Sequence, residues 1–245
     1  MHDVIYINGC SYSTVSNGNR YSEFLSKHYN CPVINNAAGG SCNKRILRSS
    51  VRDLIDLQKK YKNITVILSL SFLLRTEVWD PLHTREKFRE LNDGDFISLQ
   101  AAHSKTSAIK DSIQHDRYKK FVTGWLEWYD AKAETINLLT ELIMFTGWCK
   151  TQGIRYIIFS GPPQQSVDFT TSDIKLLYDT ISKDPNILDM FNLSFTEYCI
   201  NNNFVPIDEF TQDVNGTIKI VGHHGESAHK QWARFLIENY IDEKN

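Results

Sequence analysis

Short apolar runs and amphipathic stretches alternate along most of the 245-residue chain. Asp3 to Asn8 (DVIYIN) is a brief apolar run that stops at Gly9, as a strand buried on both faces of a parallel sheet does. Pro32 to Asn35 (PVIN), Ile64 to Ser71 (ITVILSLS), Arg155 to Ser160 (RYIIFS) and Phe204 to Ile207 (FVPI) repeat that pattern. Between them the apolar spacing changes to that of helices. Tyr21 to Tyr29 places Tyr21, Phe24 and Leu25 on one side, and Ile46 to Tyr61 carries Ile46, Leu47, Val51, Leu54, Ile55 and Leu57 at a 3.6-residue period. Further helices are predicted over Ala131 to Gln152, ending at the C-cap residue Gly153, and over Ser172 to Ser182, Ile187 to Asn201 and Glu226 to Tyr240.

Five strands separated by helices predict an α/β fold, a three-layer α/β/α sandwich around a five-stranded, mainly parallel sheet. The whole chain, 1–245, reads as one domain, with a helical or irregular insertion at about 79–121, where the periodicity weakens. In such a sheet functional groups collect at the carboxyl ends of the strands. This points in advance to Gly9–Ser13, Ala37–Asn43, Ser69–Arg75 and the loop before the last helix.

Composition narrows the function classes. Apolar residues make up 41% and charged residues 23%, with a net charge of −2, so no basic stripe suits nucleic acid. The N-terminus reads as a strand and lacks the pattern of a secretory signal, and the most apolar stretch, Ile64 to Leu74, is too short to span a bilayer. Five cysteines without CxxC spacing argue against a zinc site or a disulfide scaffold and fit a reducing compartment. The expected setting is the cytoplasm, with no membrane partner and no metal. The sequence is silent on oligomeric state.

Three short motifs carry candidate chemistry. Gly9-Cys10-Ser11-Tyr12-Ser13 ends the first strand, and a serine in such a turn stands clear of the sheet; most such turns only cap a helix. Asn35 to Asn43 contains Ala37-Ala38-Gly39-Gly40, whose small residues let backbone N–H groups approach a ligand; the plainer role is a tight turn with Ser41 or Asn43 capping the next helix. Gly222-His223-His224-Gly225 precedes the last helix, where a histidine is matched to proton transfer near neutral pH. A capping or surface histidine pair is the alternative there. Arg75, after the third strand, could clamp an anionic or glycan group or make a structural ion pair. The series Tyr118, Phe121, Trp125, Trp128 and Tyr129 fits core or interface, Gly161-Pro162-Pro163-Gln164-Gln165 a rigid turn, and Cys10 and Cys42 inert packing.

In combination, and in this order, the motifs resemble those of the SGNH (GDSL-type) hydrolases. That family has an α/β/α fold and hydrolyses esters of lipids, glycans and other acylated molecules. The resemblance spans residues 9 to 233. It implies Ser11 as nucleophile, with Cys10 where the family has aspartate, and His223 as the base, followed by His224 and, six positions on, His229. It implies the N–H groups of Ser11 and Gly40 as oxyanion donors, and no cofactor. The family's Gly-x-Asn-Asp motif has no counterpart at Ser71 to Leu74, so Asn43 or Ser71 is the nearest substitute donor. The aspartate two or three residues before the histidine is replaced by Ile220 and Val221. A backbone carbonyl could orient His223 in a Ser–His dyad; Asp208 and Asp213 are more distant candidates.

The expected activity is carboxylic ester hydrolysis on a small-molecule or glycan ester, with Arg75 and His224 as substrate contacts. The alternative is a catalytically degenerate binding or assembly protein, including a virion component, which the two missing residues motivate.

Overall fold

The computed structural model describes residues 2–14, 19–79, 92–93, 96–100, 112–164, 171–208, 210–214 and 217–242. In chain order its elements are β1 (Val4–Gly9), α1 (Tyr21–Tyr29), β2 (Val33–Asn35), α2 (Asn43–Leu57), β3 (Ile64–Leu70), β4 (Arg75–Trp79), β5 (Asn92–Asp93), β6 (Phe96–Gln100) and α3 (Ser112–Glu127). They continue with α4 (Ala131–Thr151), β7 (Arg155–Ser160), α5 (Ser172–Ile181), α6 (Phe195–Asn201), β8 (Phe210–Val214), β9 (Thr217–Val221) and α7 (Glu226–Leu236), which runs on into a π-helical turn, Ile237–Ile241.

The central sheet is parallel, in the order β2-β1-β3-β7. Its strands are apolar on both faces because helices cover both. Val4 and Tyr6 of β1, Val66 and Leu68 of β3, and Tyr156 and Ile158 of β7 face one layer with α2, α4 and α5. The alternate residues Ile5, Ile7, Ile67, Ile157 and Phe159 face α1, α6 and α7. Each buried Ile or Leu contributes roughly 1.5–3 kcal/mol relative to exposure, so these strands fix the register from Val4↔Ile64 to Gly9↔Ser69. The three layers and the parallel sheet are those the resemblance implies. In a 2-1-3 order the chain switches direction between β1 and β3, and the crevice for a ligand opens at their carboxyl ends.

Four expectations need correction. The sheet has four strands, because Phe204–Ile207 forms no fifth. Its Phe204 N–H turns back to the Cys199 carbonyl (2.9 Å), Pro206 has no N–H to give, and the Ile207 N–H goes to the His223 carbonyl (2.8 Å). The free edge of β7 is met instead by Asn186 to Leu188, joined to Ile158 by two hydrogen bonds of 2.9 Å. The helix expected over Ile187–Asn201 begins only at Phe195, where Ser194 and Glu197 form a capping box; before it, the Asp189 side chain accepts from Phe191 and Asn192 and holds a turn.

The third correction concerns 79–121. Its described part pairs β4 with β6 and β6 with β5 in an antiparallel sheet, followed by the 16-residue α3. RTEVW and FISLQ carry Thr76, Val78, Trp79, Phe96 and Ile97, the β-branched and aromatic types that suit strands. Val122 of α3 is buried beside Val78 of β4, Trp125 and Leu126, whereas Phe121 and Trp128 are exposed. Residues 80–91, 94–95 and 101–111 of this segment lie outside the described residues, as does Gln165 after β7. The fourth is an unexpected hairpin, β8–β9, between Asp208 and His223. No helix among the described residues is long and apolar enough to cross a membrane.

Candidate active site

β1 delivers Ser11 to the switch point. Gly9, Cys10 and Tyr12 are buried on either side of it, while Ser11 itself is only partly covered. The turn is closed by the Ser13 N–H donating to the Cys10 carbonyl at 2.9 Å. It is fastened to its neighbour by Asn35, whose amide donates to the Ser13 carbonyl at 2.8 Å, and by the Ala38 N–H, which donates to the Gly9 carbonyl at 3.1 Å.

That neighbouring turn presents Gly40 with φ of 76°, a left-handed conformation glycine adopts without strain. The N–H groups of Ser11 and Gly40 have no acceptor among the described residues. Asn43 is placed differently from a free donor. Its amide oxygen accepts from the Ser71 N–H (2.7 Å) and its amide nitrogen donates to the Ser71 carbonyl (3.1 Å), so it braces the turn after β3. Gln164 donates to the same carbonyl at 2.9 Å. The cap of α2 is neither Ser41 nor Asn43 but Cys42, whose sulfur accepts from the Arg45 N–H.

The histidine arrives from the other side, at the foot of the β8–β9 hairpin. Phe210 pairs with Val221 at the hairpin's end, so the chain before β8 and the chain after β9 run side by side. Gly222 makes this closeness possible: a Cβ there would lie 1.8 Å from the Asp208 carbonyl oxygen. The backbone N–H of His223 donates to Asp208 Oδ1 at 2.6 Å, and the ring Nδ1 lies 2.7 Å from Asp208 Oδ2. A carboxylate only accepts, so Nδ1 carries the proton and Nε2 of the neutral ring is left as an acceptor. That Nε2 lies 2.7 Å from Ser11 Oγ. Partial burial raises the Asp208 carboxyl, but the hydrogen bonds from the His223 ring and backbone and the charges of His223 and Arg20 outweigh it and hold the group below the usual carboxylate range. The side chain of Asp213, the other distant candidate, lies outside the described residues.

Two residues tie the halves of the site together. The Tyr12 ring packs against His223, with centroids 5.1 Å apart. Arg20, buried, donates to the Thr14 carbonyl (2.9 Å), the His224 carbonyl (3.0 Å) and His229 Nε2 (2.8 Å). Burial, followed by the Arg20 charge, pushes His229 down to about 3, so its ring is neutral and accepts from the guanidinium. Sequence reasoning gave no signal for Arg20. His224, expected as a substrate contact, is fully buried with its ring edge-on to Phe195, and so does not reach the site's surface.

Arg75, at the start of β4, donates through Nη1 to Ser71 Oγ (3.0 Å) and to the Ser41 carbonyl (3.5 Å), and lies over the Phe72 ring at 4.8 Å. Its charge acts on Cys10 and Tyr12, the two neighbours of Ser11. The site thus brings together Ser11, His223 and Asp208, with Gly40 and Arg75 along one rim.

No protein-family model and no curated protein matches this sequence. Among solved structures, the chain is similar to the acetyl xylan esterase AlAXEase, with 13% identity and a TM-score of 0.48, over 97% of this chain and 100% of that one. It is similar to a protein assigned to the lipolytic G-D-S-L family from Desulfitobacterium hafniense DCB-2, with 10% identity and a TM-score of 0.43, over 97% and 99% of the two chains. A third, from Bacteroides fragilis NCTC 9343 and assigned as an acylhydrolase, has 11% identity and a TM-score of 0.42, over 98% of this chain and 87% of that one. At such identities the likeness is one of chain course and assigns no chemistry.

Proposed function

We propose that this protein is a serine ester hydrolase working through Ser11, His223 and Asp208. The observation that carries the reading is the unbroken contact chain Ser11 Oγ to His223 Nε2 and His223 Nδ1 to Asp208 Oδ2, each 2.7 Å. Ser11 Oγ attacks the ester carbonyl while its proton passes to His223 Nε2. Asp208 holds the ring in the right tautomer and stabilises the imidazolium that forms. The N–H groups of Ser11 and Gly40 receive the tetrahedral oxyanion, whose collapse breaks the C–O bond as the leaving alkoxide takes the proton back from Nε2. Water then repeats the sequence on the acyl-serine and releases the acid.

The reading needs no dyad held by a backbone carbonyl, because a carboxylate meets the ring. It also removes one ground for a catalytically degenerate binding or assembly protein, since the aspartate missing from its usual place has a counterpart 15 residues before His223. Acetyl and butyryl esters of chromogenic alcohols, then acylated glycans, are the substrates to try. The test is a fluorophosphonate probe followed by peptide mapping. Stoichiometric label on Ser11 with parallel loss of ester turnover is expected; turnover that persists in fully labelled protein, or an unreactive Ser11, overturns the reading.

A further inference from the structure

We infer that the site selects esters bearing a carboxylate near the scissile bond, and that Arg75 is the residue that binds it. This rests on the esterase reading for the location of the reacting bond, but its physical basis is separate.

Two arginines of this region differ in one respect. Arg48 uses Nε and Nη2 to hold the Glu77 carboxylate with two parallel bonds of 2.8 Å each. Arg75 is anchored by its Nη1 alone, on Ser71 and Ser41, which leaves the same Nε–Nη2 edge without an acceptor among the described residues. That edge is the one that matches a planar carboxylate in a bidentate fork. The guanidinium is half-buried and stacked on Phe72, so its position is set before any ligand arrives.

A second guanidinium reinforces the field. Arg45 is 7% exposed and donates to Ser41 Oγ at 3.0 Å and the Asn36 carbonyl at 3.5 Å; it has no carboxylate partner among the described residues. Two cations without a carboxylate partner among the described residues therefore meet at Ser41, the residue after Gly40. The site's own acid is committed elsewhere, since both oxygens of Asp208 are engaged with His223. Burying cationic groups without a partner is costly. A carboxylate bound here relieves that cost and gains charge-assisted hydrogen bonds.

The test pairs 3- and 4-acetoxybenzoate with the corresponding acetoxybenzamides, which match them in shape and lack the charge. The wild-type protein is expected to prefer at least one carboxylate over its amide by about tenfold or more in kcat/KM, chiefly through KM. Arg75→Met should bring that ratio close to one, and Arg75→Lys, which keeps charge without the fork, should leave an intermediate ratio. Equal kcat/KM for both members of each pair in the wild type overturns the inference. So does an equal loss on both in the variants, which would put the guanidinium to work on the reacting centre. Direct titration with benzoate and benzamide separates this from the esterase reading. Benzoate binding that Arg75→Met abolishes supports the inference even if no ester is turned over, and absence of benzoate binding to the wild type refutes it even if neutral esters are hydrolysed.

Discussion

The two halves of the site are built by different physics. The serine half is an outgrowth of the core: β1 is buried along its whole length, and its position follows from packing on both faces. The histidine half hangs on a hairpin outside the central sheet, and Asp208 is 55% exposed. Its geometry depends on a few hydrogen bonds and one glycine. Packing against the core therefore fixes where the nucleophile stands, while short polar contacts determine whether it is activated. Substitutions on the two sides should fail in different ways.

The largest effect belongs to the nucleophile. Ser11→Ala removes one partly exposed hydroxyl from a turn held by backbone contacts, so ester turnover should fall roughly ten-thousandfold or more with folding stability unchanged. Residual activity above that level, measured on protein free of contaminating esterase, would show that another group does the attacking. Asp208→Asn comes next. A buried triad acid is worth about ten-thousandfold because an amide stabilises the wrong tautomer. Here water can reach the ring's outer nitrogen, so a drop of roughly a hundredfold to a thousandfold in kcat is expected, with KM little changed. A change below threefold would leave Ser11 and His223 acting as a dyad.

Gly222→Ala tests the hairpin itself. Its Cβ would meet the Asp208 carbonyl oxygen at 1.8 Å, too close for either strand to stay in place. Misplacement of a catalytic group by about 1 Å can cost on the order of a hundredfold, and tenfold to a hundredfold in kcat is the expected range. Thermal stability should suffer less, since the displaced chain lies outside the central sheet. If instead the variant unfolds cooperatively at a much lower temperature while turnover per folded molecule holds, the hairpin foot is part of the core and the contrast between the halves disappears.

What could be read from the sequence follows the same division. The four strands of the central sheet, the helices α1, α2, α4 and α7, and the placement of Ser11 and Gly40 were legible because apolar periodicity and strand-end turns are local signals. The partner of His223 was less so. Asp208 stands 15 residues away, and the spacing that joins acid to base is interrupted by β8 and β9. A signal was nonetheless available: Asn215-Gly216, followed by the alternating Thr217-Ile218-Lys219-Ile220, is a two-residue hairpin sequence. Once the hairpin is recognised, the residues flanking it must be neighbours, and Asp208 beside His223 follows. Arg20 and Arg75 were harder, since their significance lies in which carbonyls and carboxylates they meet or do not meet. A sequence does not display that. Likewise Asn43 offers the right amide for an oxyanion donor, and only its two bonds to Ser71 reveal a brace.

The smallest predicted effect concerns the buried residues that join the halves. His229 titrates near 6.5 when unfolded but is pushed down to about 3 in the fold, by burial first and the Arg20 charge second; His224 is lowered as well, chiefly by burial. Between those values the unfolded chain binds a proton that the native chain refuses, so stability is lost as the pH falls. For one such group the loss from pH 7.5 to 5.0 is about 2 kcal/mol, in a window above the range where the lowered carboxyl of Asp208 titrates. Urea unfolding at the two pH values measures it. His229→Gln, which can still accept from Arg20, should flatten the dependence; an unaltered dependence in that variant would mean that His229 is not the group responsible. Because the same ring is tied through Arg20 to the Thr14 and His224 carbonyls, loosening it should also disturb the Ser11–His223 contact. Turnover of a neutral ester by His229→Gln should then fall by a few-fold in kcat rather than in KM, a loss that arises in the bridge between the halves and in neither half alone.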